Sequence, residues 1–339
     1  MRRLRLPDLL KGIAILFMIQ VHIMELFIDY AGQSSSVGRI SLFFGGPFTA
    51  MVFMMVMGYF VAASRKLFKQ NLFRGVRIFA LGFLLNVGLN FHLLLKIKYA
   101  GWQYNPFEYI FGVDILYLAG LSIIILAAIK ELAAKLQMAV SFALLFVVLL
   151  LTDTMNSWLT LSERNYITPF IGGTYSWSYF PLFPWLAYPL IGYFFFFSET
   201  RIKQFILHRK IVVTSAFVFI VIMVLYFSKT GFNTTVNLPV YYHHTIEFGV
   251  WALGVLIIWT GIFYLVVTKF QASRVEKFLA WMGKNITLIY VVQWLIIGNL
   301  ATAIYQTQAL NRFPFWLVGI LIVTLVISWL LARTKIKLV

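Results

Sequence analysis

The chain contains no cysteine, which removes disulfides, thiolate metal sites, a cysteine nucleophile and palmitoyl anchors at one stroke. Charge is scarce too: 12% of the 339 residues are charged against 61% hydrophobic, and the mean hydropathy is +0.88. A water-soluble protein cannot cover itself with so little charge. Carboxylates are the rarest charges, 11 Asp+Glu against 28 Lys+Arg, for a formal net charge of +17. In so apolar a chain that excess does not describe a nucleic-acid surface, and no nucleic-acid partner is expected. A phosphate-binding P-loop, a G-x-G-x-x-G turn and a G-x-S-x-G elbow are also missing, so nucleotide hydrolysis and serine-elbow chemistry have no support. What remains is a series of long apolar runs, the mark of an integral membrane protein.

A helix needs about 20 apolar residues to cross roughly 30 Å of hydrocarbon. Ten stretches qualify, near 7–29, 40–63, 74–95, 107–129, 136–152, 178–198, 210–228, 245–268, 283–306 and 313–332. They predict an all-α, multi-pass protein with about ten transmembrane helices in one bundle. With the N-terminus inside, only Arg39, Lys96, Lys98, Arg164, Lys229 and Arg312 of the 28 basic residues fall outside. Cytoplasmic loops hold such an excess, so both termini are expected in the cytoplasm, and anionic lipid is the only acidic partner the charge requires. Arg2-Arg3-Leu4-Arg5 before an apolar run is reminiscent of a signal peptide. Asp8 and Lys11 interrupt that run, however, and it reads as a retained first span. No internal repeat or linker divides the chain, so 1–339 reads as one domain. The longest connection, 153–177 with Asp153, Glu163 and Arg164, and a second at 229–244 ending in Tyr241, Tyr242, His243 and His244, fall on the outer side. They suit a lid, an acceptor site or simple connectors.

Ionisable residues inside spans are costly and tend to face the protein interior or a wet cavity. His22 lies in the first span, roughly 20 Å from its cytoplasmic end at 1.5 Å per residue. Glu25 and Asp29 follow at i+3 and i+7, so a carboxylate on the same face can hold one imidazole nitrogen and leave the other as a base; both also suit a plain outer interface. Lys11, three turns below His22, reads on its own as a snorkelling interfacial lysine. Arg74 and Arg77, one turn apart at the start of the third span, suit either phosphate binding or topology alone. Asp114 and His92 sit near the outer ends of neighbouring spans, as a pair or as separate structural groups, Asp114 serving a helix N-terminus. Asn86 and Asn90 suit interhelical hydrogen bonds. His243-His244-x-x-Glu247 has helical spacing but no third ligand, and no metal is predicted. Tyr179-Phe180-Pro181-Leu182-Phe183-Pro184-Trp185 suits a helix start in an interfacial aromatic belt.

Several stretches carry a family resemblance. Leu6-Pro7-Asp8-Leu9-Leu10-Lys11 through Val21-His22 resembles the first helix of the transmembrane acyltransferase superfamily, with a basic residue, ten positions and a histidine. Arg74-Gly75-Val76-Arg77 is similar to the arginine pair that opens its third helix, and Gly283-Lys284-Asn285-Ile286-Thr287-Leu288-Ile289-Tyr290 to its late helix. Gly112-Val113-Asp114-Ile115-Leu116 and the Tyr179–Trp185 stretch, with Gly192 after it, resemble the heparan-α-glucosaminide N-acetyltransferase-like branch. The chain departs from the pattern at Lys11, where an arginine is usual, and at Gln293, near which relatives often carry a histidine.

The resemblance implies transfer of an acyl group, most simply acetyl, from cytoplasmic acyl-CoA to an extracytoplasmic sugar or glycan, across a bacterial cytoplasmic membrane. His22 would be the base or the acyl carrier, Glu25 and Asp114 would orient or tune it, and Lys11, Arg74 and Arg77 would bind the CoA phosphates. The competing expectation is a proton-coupled secondary transporter or flippase with His22, Glu25 and Asp29 as the relay.

Overall fold

The computed structural model describes residues 5–161, 165–270 and 273–334, without the side chains of 200–203 and 205–207. Arg2, Arg3, Glu163, Arg164, Lys335 and Lys337, which enter the charge argument, lie outside the described residues. Among the described residues the chain is helical, with two isolated bridges and no strand. The main helices are α1 (Arg5–Leu26), α2 (Ser36–Gly45), α3 (Met51–Ala63), α4 (Phe68–Leu89), α5 (Phe91–Ala100), α6 (Ile115–Lys130), α7 (Ala134–Leu159), α8 (Ala187–His208), α9 (Lys210–Tyr226), α10 (Ser228–Val236), α11 (Ile246–Lys269), α12 (Arg274–Lys284), α13 (Ile286–Ile304) and α14 (Phe313–Ala332). A π turn, Gly46–Ala50, joins α2 to α3. There Pro47 brings no N–H, and the Thr49 hydroxyl donates instead to the carbonyls of Gly45 and Gly46.

All ten apolar stretches contain a helix, and among the described residues fewer than ten helices are long and apolar enough to cross a membrane. Seven helices of the described residues are long and apolar enough, and α9 with α10, bent by 56°, makes an eighth if the pair is one span. The fourth stretch shortens to the 16 residues of α6, because its first half is spent on the short helix Pro106–Ile110 and on a bridge between Val113 and Ser178. The sixth loses its start to the same bridge and to the short helix Leu182–Trp185, and α8 begins only at Ala187.

Two compact units emerge, each assembled from separate stretches of chain. The first comprises Met1–Ala50, Phe83–Gly112 and Phe263–Val339; the second comprises Met51–Gly82 and Val113–Ile262.

In the first unit α1 buries Leu9, Leu10, Ala14, Ile15, Met18, Ile19, Ile23 and Met24 against α12, α2, α13 and α14. Its crossing with α12 is reciprocal. A methyl on Gly12 would overlap the Leu279 carbonyl, and one on Gly283 the Asp8 carbonyl. Absent side chains let the two backbones touch, which is how helices gain contact in lipid. Arg5 reinforces the crossing with a bidentate pair to Glu276 (Nε to Oε1 2.8 Å, Nη2 to Oε2 2.7 Å) and with bonds to the carbonyls of Val267 and Phe270. Ser273 caps α12 by accepting from the Glu276 N–H. By contrast α14 buries only Ile320, Thr324 and Ser328, a stripe one turn apart that leaves its other faces free for lipid.

The second unit repeats the glycine device. Gly58 faces the Pro189 carbonyl and Gly192 the Met55 carbonyl, locking α3 against α8, while Gly75 and Gly120 do the same for α4 and α6. Lys130 closes the end of α3 by donating to the carbonyls of Val61, Ser64 and Lys66.

Gly12→Ala inserts a methyl where no space exists, so it should cost about 1–3 kcal/mol. Thermal unfolding in detergent should show a lowered midpoint for Gly12→Ala and none of that loss for an alanine at Gly319, which has open space around it.

Candidate active site

His22 sits one turn before the end of α1 and is half-buried. Its Nδ1 faces the Gln293 amide of α13, with Nε2 of that amide at 2.9 Å and Oε1 at 3.4 Å. Gln293 has no exposed surface. The next residue, Trp294, lays its ring 4.2 Å from the imidazole at 36°, and its buried indole N–H has no hydrogen-bond partner among the described residues. One face and one nitrogen of His22 are thus engaged by consecutive residues of α13, and Nε2 has no hydrogen bond among the described residues.

Beyond His22 the chain leaves α1 in an ordered way. The carbonyls of Leu26 and Phe27 accept from the N–H groups of Gln306 and Gln308, and Asp29 N–H donates to Gln308. Gln306 adopts φ 51°, a left-handed conformation costly for a residue with a side chain; its side-chain amide also donates to the Glu25 carbonyl at 3.2 Å. Gln33 donates to that same carbonyl at 3.0 Å. The end of α1 is therefore fixed by side chains 8 and 281 residues away.

Glu25 lies one turn past His22, as its spacing predicts, but Nδ1 is taken by Gln293. Among the described residues the Glu25 carboxyl makes no hydrogen bond or ion pair. Asp29 is not on the same helix face at all, because α1 ends at Leu26. Its carboxylate caps the next short helix by accepting from the Gly32 N–H at 2.7 Å.

Lys11 pairs with Asp8 one turn earlier at 3.1 Å, both largely buried. Asp8 thereby supplies what a lysine inside a membrane helix needs. His92 binds Asn299 through its backbone N–H (2.9 Å) and its Nδ1 (3.1 Å to the Asn299 carbonyl). Asn86 donates to the carbonyls of Ile110 and Gly112, and Asn90 to those of Asn86 and Tyr109, ties within the first unit.

Arg74, Arg77 and Asp114 belong to the second unit. Gly75 places α4 against α6, and this crossing leaves Arg74 half-buried while Arg77 is exposed. Among the described residues the Arg74 guanidinium has no hydrogen bond or ion pair. A half-buried, uncompensated cation on a helix favours an anion of suitable geometry. Asp114 is the N-cap of α6, accepting from Ile115 N–H at 2.6 Å, the helix-terminus role that its position also suggests.

His243 and His244 serve the packing of the second unit. The Nδ1–H of His244 donates to the Tyr241 carbonyl (2.8 Å), and its Nε2 accepts from the Tyr188 hydroxyl (2.8 Å). Trp185, from the aromatic stretch, donates to the Tyr242 carbonyl at 2.8 Å. Among the described residues no three His, Asp or Glu gather as metal ligands.

Gln293, Trp294, Gln306 and Gln33 are the residues around α1 that sequence reasoning missed as a site. One signal was available for Gln293, a polar side chain in an apolar span. Its pairing with a residue 271 positions away has no local signature.

These features define a polytopic α-helical membrane protein with a conformationally fixed histidine near one end of its first span. A family model described as an acyltransferase domain, of the acyltransferase-3 type, matches residues 5–333. The chain belongs to that acyltransferase family. No curated protein and no solved structure gave a match.

Burial drives the His244 imidazole down to about 3, against an ordinary value of 6.5. The unfolded chain takes up a proton that the folded one refuses. The stability from this residue is therefore complete above pH 6.5 and is lost as the pH falls from there toward 3, by about 2 kcal/mol at pH 5. Unfolding temperatures recorded in detergent between pH 7.5 and 5 should fall with acid in the natural protein and fall less steeply in His244→Asn.

Proposed function

We propose that the protein transfers an acyl group, in the simplest case acetyl, from acyl-CoA on the cytoplasmic side to a sugar or glycan on the other side of a bacterial cytoplasmic membrane. The observation that carries this reading is His22. A half-buried imidazole with Nδ1 held and Nε2 unassigned lies in the first span of a chain belonging to an acyltransferase family. In the proposed reaction Nε2 takes the proton of the acceptor hydroxyl or amine, and the acceptor oxygen or nitrogen attacks the thioester carbonyl. The carbon–sulfur bond then breaks, and the CoA thiolate leaves with the proton held on His22. A two-step variant has His22 receive the acyl group and pass it on.

Arg74 supports a donor role by lacking any compensation among the described residues. With Arg77 one turn away it would grip phosphate oxygens of CoA, guanidinium forks matching that geometry. Lys11 is assigned to the donor only through the family resemblance, since Asp8 already balances its charge. Glu25, whose carboxyl has no hydrogen bond or ion pair among the described residues, would tune the field at His22. Asp114 is assigned the positioning of α6 that its cap performs. The similarity of Gly112–Leu116 and Tyr179–Trp185 to the heparan-α-glucosaminide N-acetyltransferase-like branch favours a sugar acceptor. The transporter reading needs a relay through His22, Glu25 and Asp29, and its third member is turned away into a helix cap.

Binding and consumption of acetyl-CoA by purified protein in detergent test the proposal. Arg74→Ala/Arg77→Ala should weaken binding about tenfold or more, the worth of one charge-assisted hydrogen bond. His22→Ala should bind normally while turnover falls roughly 10²–10⁴-fold. Absence of acetyl-CoA binding by the natural protein would refute the reading.

A further inference from the structure

Gln293 is fully buried on a helix whose other buried side chains include Ile289, Val292, Ile297 and Ala301. A buried amide in such a setting is costly unless it is hydrogen-bonded, and the partner it meets is His22 Nδ1. Both amide atoms lie near that nitrogen, Nε2 at 2.9 Å and Oε1 at 3.4 Å. The imidazole plane is fixed independently by Trp294. Glu25, the carboxylate nearest in sequence, has no bond to the ring.

We infer that Gln293 is the positioning residue that sets the tautomer of His22. With its amide N–H donating to Nδ1, as the distances place it, His22 carries its proton on Nε2 and presents a donor. A half-turn of the amide about its last side-chain bond brings Oε1 to Nδ1. The proton then resides on Nδ1, where Oε1 accepts it, and Nε2 has a free lone pair, the form a general base requires. A carboxylate in the same place can only accept, so it would hold one tautomer. The neutral amide serves both, and it holds Nδ1–H through the protonated stage of the cycle as well.

This inference rests on the acyltransferase reading for its catalytic meaning, but its core is testable without turnover. Nitrogen NMR of ¹⁵N-histidine-labelled protein in detergent, with His22 assigned by its loss in His22→Gln, reports which ring nitrogen carries the proton. The natural protein should show His22 protonated on Nε2. Gln293→Glu, which fills the same volume and offers acceptors, should move the proton to Nδ1, and Gln293→Leu should abolish the hydrogen-bonded Nδ1 signature. In turnover assays Gln293→Leu should lower kcat by roughly 10–100-fold, part of the 10²–10⁴ that general-base catalysis supplies, with the KM for acetyl-CoA within about twofold of the natural value. Gln293→Glu should restore most of that kcat. An unchanged His22 tautomer in both variants would overturn the inference, as would natural kcat in Gln293→Leu. If the natural protein consumes no acetyl-CoA, the functional reading falls instead, and the NMR result still decides whether Gln293 sets the tautomer.

Discussion

The close crossing of α1 and α12 at Gly12 and Gly283 is the contact on which the arrangement around His22 depends. Two helices that touch backbone to backbone cannot rotate or slide without collision, and the Arg5–Glu276 fork fixes their register at one end. At the other end the Gln306–Gln308 segment binds the last carbonyls of α1. A helix secured at both ends presents its intervening polar residues at set depths. His22 then meets Gln293 on α13 at hydrogen-bond distance, so one of its two ring nitrogens is satisfied within the protein.

The second unit solves the same problem with the same means. Pairs of glycines bring α3 to α8 and α4 to α6, and several of the polar groups are bonded locally. Lys130 caps the end of α3, Tyr188 and the Tyr241 carbonyl satisfy His244, and Asp114 starts α6. Arg74 stands apart as a half-buried cation without such a partner among the described residues. A half-buried cation without a partner is a reason to look for an anionic ligand.

Much of this was legible in the sequence, and for identifiable reasons. Long apolar runs announced the helices, since crossing hydrocarbon demands length and hydrophobicity whatever the tertiary structure. His22 was conspicuous as a polar group in such a run. Element ends were less legible. Asp29 sits seven residues after His22 and was expected on the same helix face, yet α1 stops at Leu26 because the chain there pairs with residues near Gln308, a contact almost 300 positions away. The starts of the fourth and sixth stretches likewise pass into the Val113–Ser178 bridge, which no local pattern encodes. Gln293 was visible as a polar side chain in an apolar span and as a departure from a histidine, and its partnership with His22 emerges once α13 is placed beside α1. Glycine pairs such as Gly12 with Gly283 are individually ordinary, and their meaning comes from the backbone each one faces.

In the proposed reaction an acyl group passes from CoA on one side of the membrane to an acceptor on the other, with His22 handling the proton. Inverted membrane vesicles from cells producing the protein expose the cytoplasmic face, so radiolabelled acetyl-CoA added outside reaches only the donor side. Label is expected on material inside the vesicles, released by an added esterase or amidase only after detergent, and no such label with His22→Gln. Label that stays on CoA, or that enters the vesicles equally in the His22→Gln protein, would contradict it.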